Sequence, residues 1–340
     1  MSKGEYLLRR LGLAVLVLVG VMAVTFVVAR VVPSNPAALY AGPRPRPEQV
    51  AALERKMGLD EPLPMQFLRY ASDVLRGDFG ESFKTHRPIL ADLTVFLPAT
   101  LELVIAASLL ALVIGIPVGV LAGAQKGGWL DQISRVLSIS GVSIPTFWLA
   151  LLLQLLFFGL LGWLPLGGRI ANSIALIHPV QGITGFYLID TALTANWIAW
   201  KDAALHLILP AAVLASYPVG LTIRMTRAAM IEVMSEPFVD AARASGLPER
   251  TILFRLALKN AIIPTLTVLG LSFAYSITGA FLIEVVFSWP GVGKYVTDAI
   301  LNVDFPVVMA VTLVVTVIYI VINLMVDMLQ AALDPRVRLG

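Results

Sequence analysis

The sequence contains no cysteine, three histidines, and charged residues at only 14% of its 340 positions. Without thiols, disulfides, thiolate metal sites and thiol catalysis are excluded. His86, His178 and His206 lack metal-ligand spacing. The net charge of +3 is small, and no basic, aromatic-rich polar domain is present to hold a nucleic acid. No GxxxxGK[ST] stretch occurs, and Gly291-Val292-Gly293-Lys294-Tyr295 fails that spacing, so the chain is not its own ATPase by that route. A soluble domain carries about 25% charged residues; this chain lies outside that class.

What is present instead is apolar sequence, 58% of the total. Crossing a bilayer as a helix takes ~20 mostly apolar residues, and six stretches qualify, near 11–32, 100–122, 133–161, 205–226, 265–287 and 307–328. Arg9 and Arg10 before the first run would suit a signal peptide. That run is too long for an h-region, however, and lacks a small-x-small cleavage site. It is expected to stay as a span. Lys3, Arg9, Arg10, Lys126, Arg135, Arg224, Arg227, Arg243, Arg250, Arg255, Lys259, Arg336 and Arg338 fall in the segments on the N-terminal side. Only Arg169, Lys201 and Lys294 fall in the two later opposite loops, so both termini are expected in the cytoplasm. The expected fold is an all-α integral membrane protein with six transmembrane helices and a small extracytoplasmic helical cap between spans 1 and 2. Its expected divisions are a stub and first span (1–32), the cap (33–98), a five-span core (99–330) and a cytoplasmic tail (331–340).

The span centres are uncharged. Glu102 and Glu284 lie near outer ends and Asp327 near an inner end. Ion-coupled transporters place ionisable groups at mid-membrane and show paired broken helices. This alternative, a secondary transporter or channel, therefore finds little support. Ser108, Ser140, Ser143, Gln154, Ser272, Tyr275, Ser276 and Thr278 either line a passage or pack helices together, and packing is the commoner role. Ser288-Trp289-Pro290-Gly291 reads as a tight turn folded back on the bundle, which with Glu102 and Glu284 makes a candidate outer mouth or gate. Glu102 has Arg30 as a candidate structural partner.

The connection 235–263 is the most specific stretch, and it carries its own punctuation. Ser235 suits an N-cap, Pro237 the first turn and Gly246 the left-handed C′ position, with Pro248 beyond. A capped helix of two to three turns is expected, its alanines offering a smooth docking surface. A second helix, 248–263, should lie on the membrane surface, with Pro264 marking entry to the fifth span.

Asp240-Ala241-Ala242, three residues, then Gly246 resembles the EAA loop of permease subunits in binding-protein-dependent ABC importers, with Asp in place of the consensus Glu. Leu8-Arg9-Arg10-Leu11, Gly77-Asp78-Phe79-Gly80-Glu81-Ser82, Leu97-Pro98-Ala99-Thr100-Leu101-Glu102-Leu103, Ser143-Ile144-Pro145-Thr146-Phe147-Trp148-Leu149 and Phe287-Ser288-Trp289-Pro290-Gly291-Val292-Gly293-Lys294 are similar to the dipeptide/oligopeptide/nickel branch of that family. The resemblance implies a type I ABC importer-like transmembrane domain in the cell inner membrane. It implies three kinds of partner: a second homologous permease, two cytoplasmic ATPase subunits and an extracytoplasmic solute-binding protein. ATP and magnesium would bind those ATPases, and no cofactor this chain. Pro237, Asp240, Ala241, Ala242, Arg243 and Gly246 become the ATPase-coupling loop. The implied cargo is a short peptide, with an oligosaccharide or nickel complex as the alternative.

Overall fold

The computed structural model describes residues 3–31, 35–41, 45–56 and 58–333. The expected tail beyond Leu333 and the cap boundary at Pro33 lie outside them. Among the described residues, five helices are long and apolar enough to cross a membrane: Leu8–Arg30, Ile89–Ala124, Trp197–Val233, Glu249–Val286 and Phe305–Met328. A sixth crossing is reached when Trp129–Ser143 and Thr146–Leu160, bent by 108° at their junction, count as one span. The continuous third span expected over 133–161 is thus broken. The cause is local: Pro145 pushes Ile144 to an extended conformation (φ −77°, ψ 125°), and the helix ends there.

The chain divides into two compact units, 98–293 with the chain from 321 onward, and the chain up to 97 with 294–320. In the first, the helix Trp197–Val233 forms the centre, packed by Leu258–Val286, Ile116–Ala124 and Trp129–Ser143. Asn196 starts it by accepting from the Ala199 N–H (3.3 Å). The close approach is made by glycines one helical turn apart. Gly115, Gly119 and Gly123 sit against Thr222, Thr226 and Met230, and a Cβ on any of them would overlap those side chains. This is small-residue packing, by which membrane helices associate when no water drives them together. Gly141 and Gly220 do the same against the backbone at Ser216 and Ser138.

An ion cluster around one buried aspartate ties the same helices. Asp131, fully buried, accepts from both Arg227 Nε and Nη2 (the latter 3.1 Å), from Arg135 Nη2 (3.1 Å) and from the Gly127 N–H (2.9 Å). Four donors from three residues on one carboxylate fix the 125–131 turn to the helix that leads into the 235–248 connection.

In the second unit, Phe26 on the helix Lys3–Val31 meets Phe67 edge-on (5.4 Å) and Tyr70 face-on (6.1 Å), both on Leu63–Leu75. Burial pushes the Tyr70 hydroxyl up to about 12. Within the expected cap, the helix Pro47–Lys56 carries Val50 and Leu53 at helical spacing. Ser82 donates to Asp304 (2.6 Å) and Tyr295 to Asp92 (3.1 Å), so the Gly77–Ser82 stretch is sewn to the loop before the last helix. Burial, then the Asp92 charge, raises the Tyr295 pKa.

Gly119→Leu should destabilise the protein by roughly 1–3 kcal/mol, because a side chain must be forced between closely packed backbones. Thermal unfolding in detergent would show it as a lowered midpoint, whereas Gly279→Leu, at a position with open space around its Cβ, should change little.

Candidate functional site

The two groups of residues singled out in the sequence lie at opposite ends of one helix. Glu249–Val286 runs unbroken for 38 residues, about 57 Å at 1.5 Å per residue. Pro264 sits inside it. The expected break at that proline, and a separate surface helix over 248–263, are therefore not found. A wider π-helical turn at Ile252–Ala257 absorbs irregularity near its start instead.

At the first end, the short helix Pro237–Ala244 has Pro237 in its first turn and Gly246 at φ +73°. The Gly246 N–H donates to Arg243 O (2.9 Å) and the Leu247 N–H to Ala242 O (3.2 Å), closing a Schellman motif. The cap at its start is Glu236, without a side-chain bond; Ser235, expected there, donates to Glu232 O (2.6 Å) instead. Val239 and Ala242 are buried against Ile252. Ala242 thus anchors the helix to its own loop and, unlike the other alanines expected on a smooth face, is turned inward. Asp240, Ala241 and Ala244 remain exposed, as do Pro237 and Phe238. Arg243 braces the turn through Glu249 (2.9 Å) and Asp240 (3.6 Å), and the Glu249 hydrogen bond holds its pKa above the usual arginine value.

At the other end, Glu284 is fully buried and accepts from Thr100 Oγ1 (2.6 Å). Thr100 in turn accepts from the Val292 N–H (2.8 Å), and Trp289 Nε1 donates to Ala99 O (2.9 Å). The reversal is made by Ser288 at φ 49°, a left-handed position rare outside glycine, followed by a Trp289 N–H bond to Glu284 O (2.8 Å). Gly291 lies directly on the Glu284 carboxylate, where a Cβ would overlap it. A helix, Val292–Leu301, then follows, which the glycine-rich sequence had not suggested.

Glu102 is buried too, and among the described residues its ion-pair partner is Arg169, not Arg30, the candidate on sequence. Glu102 also accepts from the Leu188 N–H (2.9 Å), while Arg169 lies 3.7 Å from the Tyr187 ring centroid and 5.6 Å from that of Trp289. Arg169 donates as well to Gly185 O (2.9 Å). Nearby, Asp190 accepts from the Thr184 and Gly185 backbone and from the Thr184 hydroxyl. Burial alone would raise its pKa, but those bonds outweigh it and the net shift is downward. Gln154 donates to Leu166 O (2.8 Å) and Val286 O (3.3 Å). Glu102, Glu284, Trp289 and Gly291 are thus brought into one buried polar pin between loops and helix ends, with Pro290 only half-buried at its edge. Ser108, Ser276 and Thr278 spend their hydroxyls on their own helices' carbonyls, as packing residues do.

These features define a polytopic α-helical membrane component with a short, partly exposed capped helix before its Glu249–Val286 helix and a buried polar cluster at that helix's far end. Residues 115–339 match the family described as binding-protein-dependent transport system inner membrane component, and residues 4–104 match the N-terminal family of the same membrane components. The chain belongs to this family, and its work is translocation, not catalysis. It is 45% identical to the probable D,D-dipeptide transport system permease protein DdpB of Escherichia coli K12, over 96% of this chain and 95% of the relative. It is 41% identical to the di/tripeptide transport system permease protein DppB of Pseudomonas aeruginosa, over 98% of each. The dipeptide permease DppB of Alkalihalophilus pseudofirmus is 39% identical over 98% of this chain and 99% of its own. Among solved structures, a chain of the inward-facing MetNI methionine ABC transporter shares the fold, at TM-score 0.51 and 16% identity, covering 69% of this chain and 93% of that one.

Arg169→Met should cost roughly 3–5 kcal/mol by leaving Glu102 buried without its counter-charge. Adding Glu102→Leu should recover most of that loss. A double-mutant cycle on unfolding measures both, and equal losses in single and double variants would contradict the pairing.

Proposed function

We propose that this chain is the permease subunit of an ATP-driven importer of short peptides. It would work with a second homologous permease, two cytoplasmic ATPase subunits and an extracytoplasmic binding protein. The observation that carries the reading is the exposed face of the Pro237–Ala244 helix, held rigidly by its Schellman cap and by the buried Val239–Ala242–Ile252 contact. A partner's movement against that face would be transmitted, since the helix is bonded to the base of Glu249–Val286. A floppy loop would absorb it. The peptide cargo follows the near full-length similarity to dipeptide permeases.

The basic residues argue for cytoplasmic termini. That orientation puts the coupling helix beside the ATPases, with ATP and magnesium bound there. It puts Glu102, Glu284, Trp289, Pro290 and Gly291 at the substrate side. In this account they act as a closure, opening and shutting as one body with the helix whose other end the ATPase moves. The 33–98 segment would be the cap, the 99–330 segment the core.

The test is reconstitution of the complete system in proteoliposomes and assay of ATP-dependent alanyl-alanine uptake. Gly246→Val should leave insertion intact, because open space surrounds its Cβ. The left-handed backbone costs a non-glycine residue about 1–2 kcal/mol, which corresponds to roughly tenfold loss of coupled hydrolysis. Gly246→Asn should lose less. Full coupling in Gly246→Val, or no peptide uptake by the wild type, would overturn the respective half of the reading.

A further inference from the structure

The unit formed by the chain up to 97 and 294–320 contains a cavity of about 520 Å³. That volume lies in the range of small-molecule sites. Its walls combine charge of both signs with apolar surface: Arg30, Tyr40, Asp78, Glu81, Phe83 and Phe305.

Arg30 is the unusual member. It lines three cavities of this unit and is half-buried. Among the described residues it has no ion pair or hydrogen bond, and its recorded partner is the Phe26 ring, 5.5 Å from the guanidinium carbon. A guanidinium withdrawn from water without an anion is unfavourable, and its planar fork matches a carboxylate. The two acids in the wall do not serve as that anion. Asp78 accepts from the Gly80 N–H (2.9 Å) and Glu81 from the Tyr40 hydroxyl (2.8 Å).

We propose that this cavity is a binding subsite for a free-ended short peptide, with Arg30 taking the C-terminal carboxylate and Asp78 and Glu81 the N-terminal ammonium. Phe83 and Phe305 supply the apolar surface for its side chains. The proposal rests on the peptide reading above and deepens it. The permease itself would read both peptide ends after release from the binding protein, with residues other than those of the Glu102–Glu284 cluster. A zwitterion fits this lining because it neutralises charges of opposite sign at once. An uncharged sugar would leave Arg30 as it is.

The test uses the permease–ATPase complex in nanodiscs without binding protein, with saturation-transfer NMR titrations of alanyl-phenylalanine, its C-terminal amide and its N-acetyl form. The wild type should prefer the free dipeptide to either blocked form by about tenfold, the worth of one charge-assisted contact of about 1.4 kcal/mol. Arg30→Met should abolish the preference over the amide and keep that over the acetyl form. Glu81→Gln combined with Asp78→Asn should do the reverse, and Arg30→Lys should retain part of the amide discrimination. A merely structural role would not exchange these two selectivities. Equal wild-type binding of all three ligands would overturn the proposal, as would Arg30→Met with unchanged selectivity. So would loss of all binding together in every variant, Arg30→Lys included. Tighter binding of inorganic phosphate than of dipeptide would also overturn it. So would weakened capture of the binding protein by Arg30→Met at unchanged dipeptide affinity. ATP-driven alanyl-phenylalanine uptake by the complete system separates the two levels. Uptake alongside any overturning result sinks the subsite alone, and absence of uptake sinks the peptide reading with it.

Discussion

A carboxylate removed from solvent must be given donors, and the Glu284 side chain meets that requirement with groups drawn from distant stretches of chain. Thr100 donates to it, Gly291 packs on it, and the Ser288 reversal returns the chain over it. Once this carboxylate is placed, the end of the Glu249–Val286 helix, the start of the 98–110 segment and the turn at 288–292 have little freedom left. The Glu102–Arg169 pair extends the same logic to the second loop, where Gln154 and Arg169 bond loop carbonyls. Such charges are not a midplane ion relay. Each is matched by a local partner, which suits a closure that holds shape.

The opposite end of the helix solves a different problem. A short helix in water is marginal by itself, and Pro237–Ala244 is stabilised by its glycine cap and by two side chains buried in its own loop. The remaining face is exposed. In the proposed reading, Glu249–Val286, continuous through Pro264, carries a displacement from one end to the other. Asp131, with Arg227 and Arg135, adds a second strut from the neighbouring helix. Rigid elements joined by buried polar contacts have few intermediate arrangements, which is what a two-state passage requires.

Much of this was legible in the sequence where the cause is local. Gly246 announced its left-handed cap, Pro237 the helix start, and the apolar runs the spans. Ile144-Pro145 carried the break in the third span, but the uninterrupted apolar run around it masked the signal. The Gly115, Gly119 and Gly123 spacing is equally visible and points to close helix packing, though the stronger hydropathy signal masks it. Arg169 as the partner of Glu102 lies 67 positions away, and no local pattern identifies such a pair. The same holds for Arg227 with Asp131, whose arginine reads in sequence only as a marker of membrane side. Ala242 illustrates a subtler limit: composition shows a small-residue helix, and only packing shows which alanine faces inward.

The absence of cysteine makes the central claim directly testable, since any introduced thiol is unique. Ala241→Cys and Ala242→Cys, one exposed and one buried against Ile252, would each be treated with a short bifunctional cross-linker in the assembled transporter. Efficient cross-linking of position 241 to an ATPase subunit, with little at position 242, is the result expected. Equal cross-linking at both positions, or none at 241, would contradict the account.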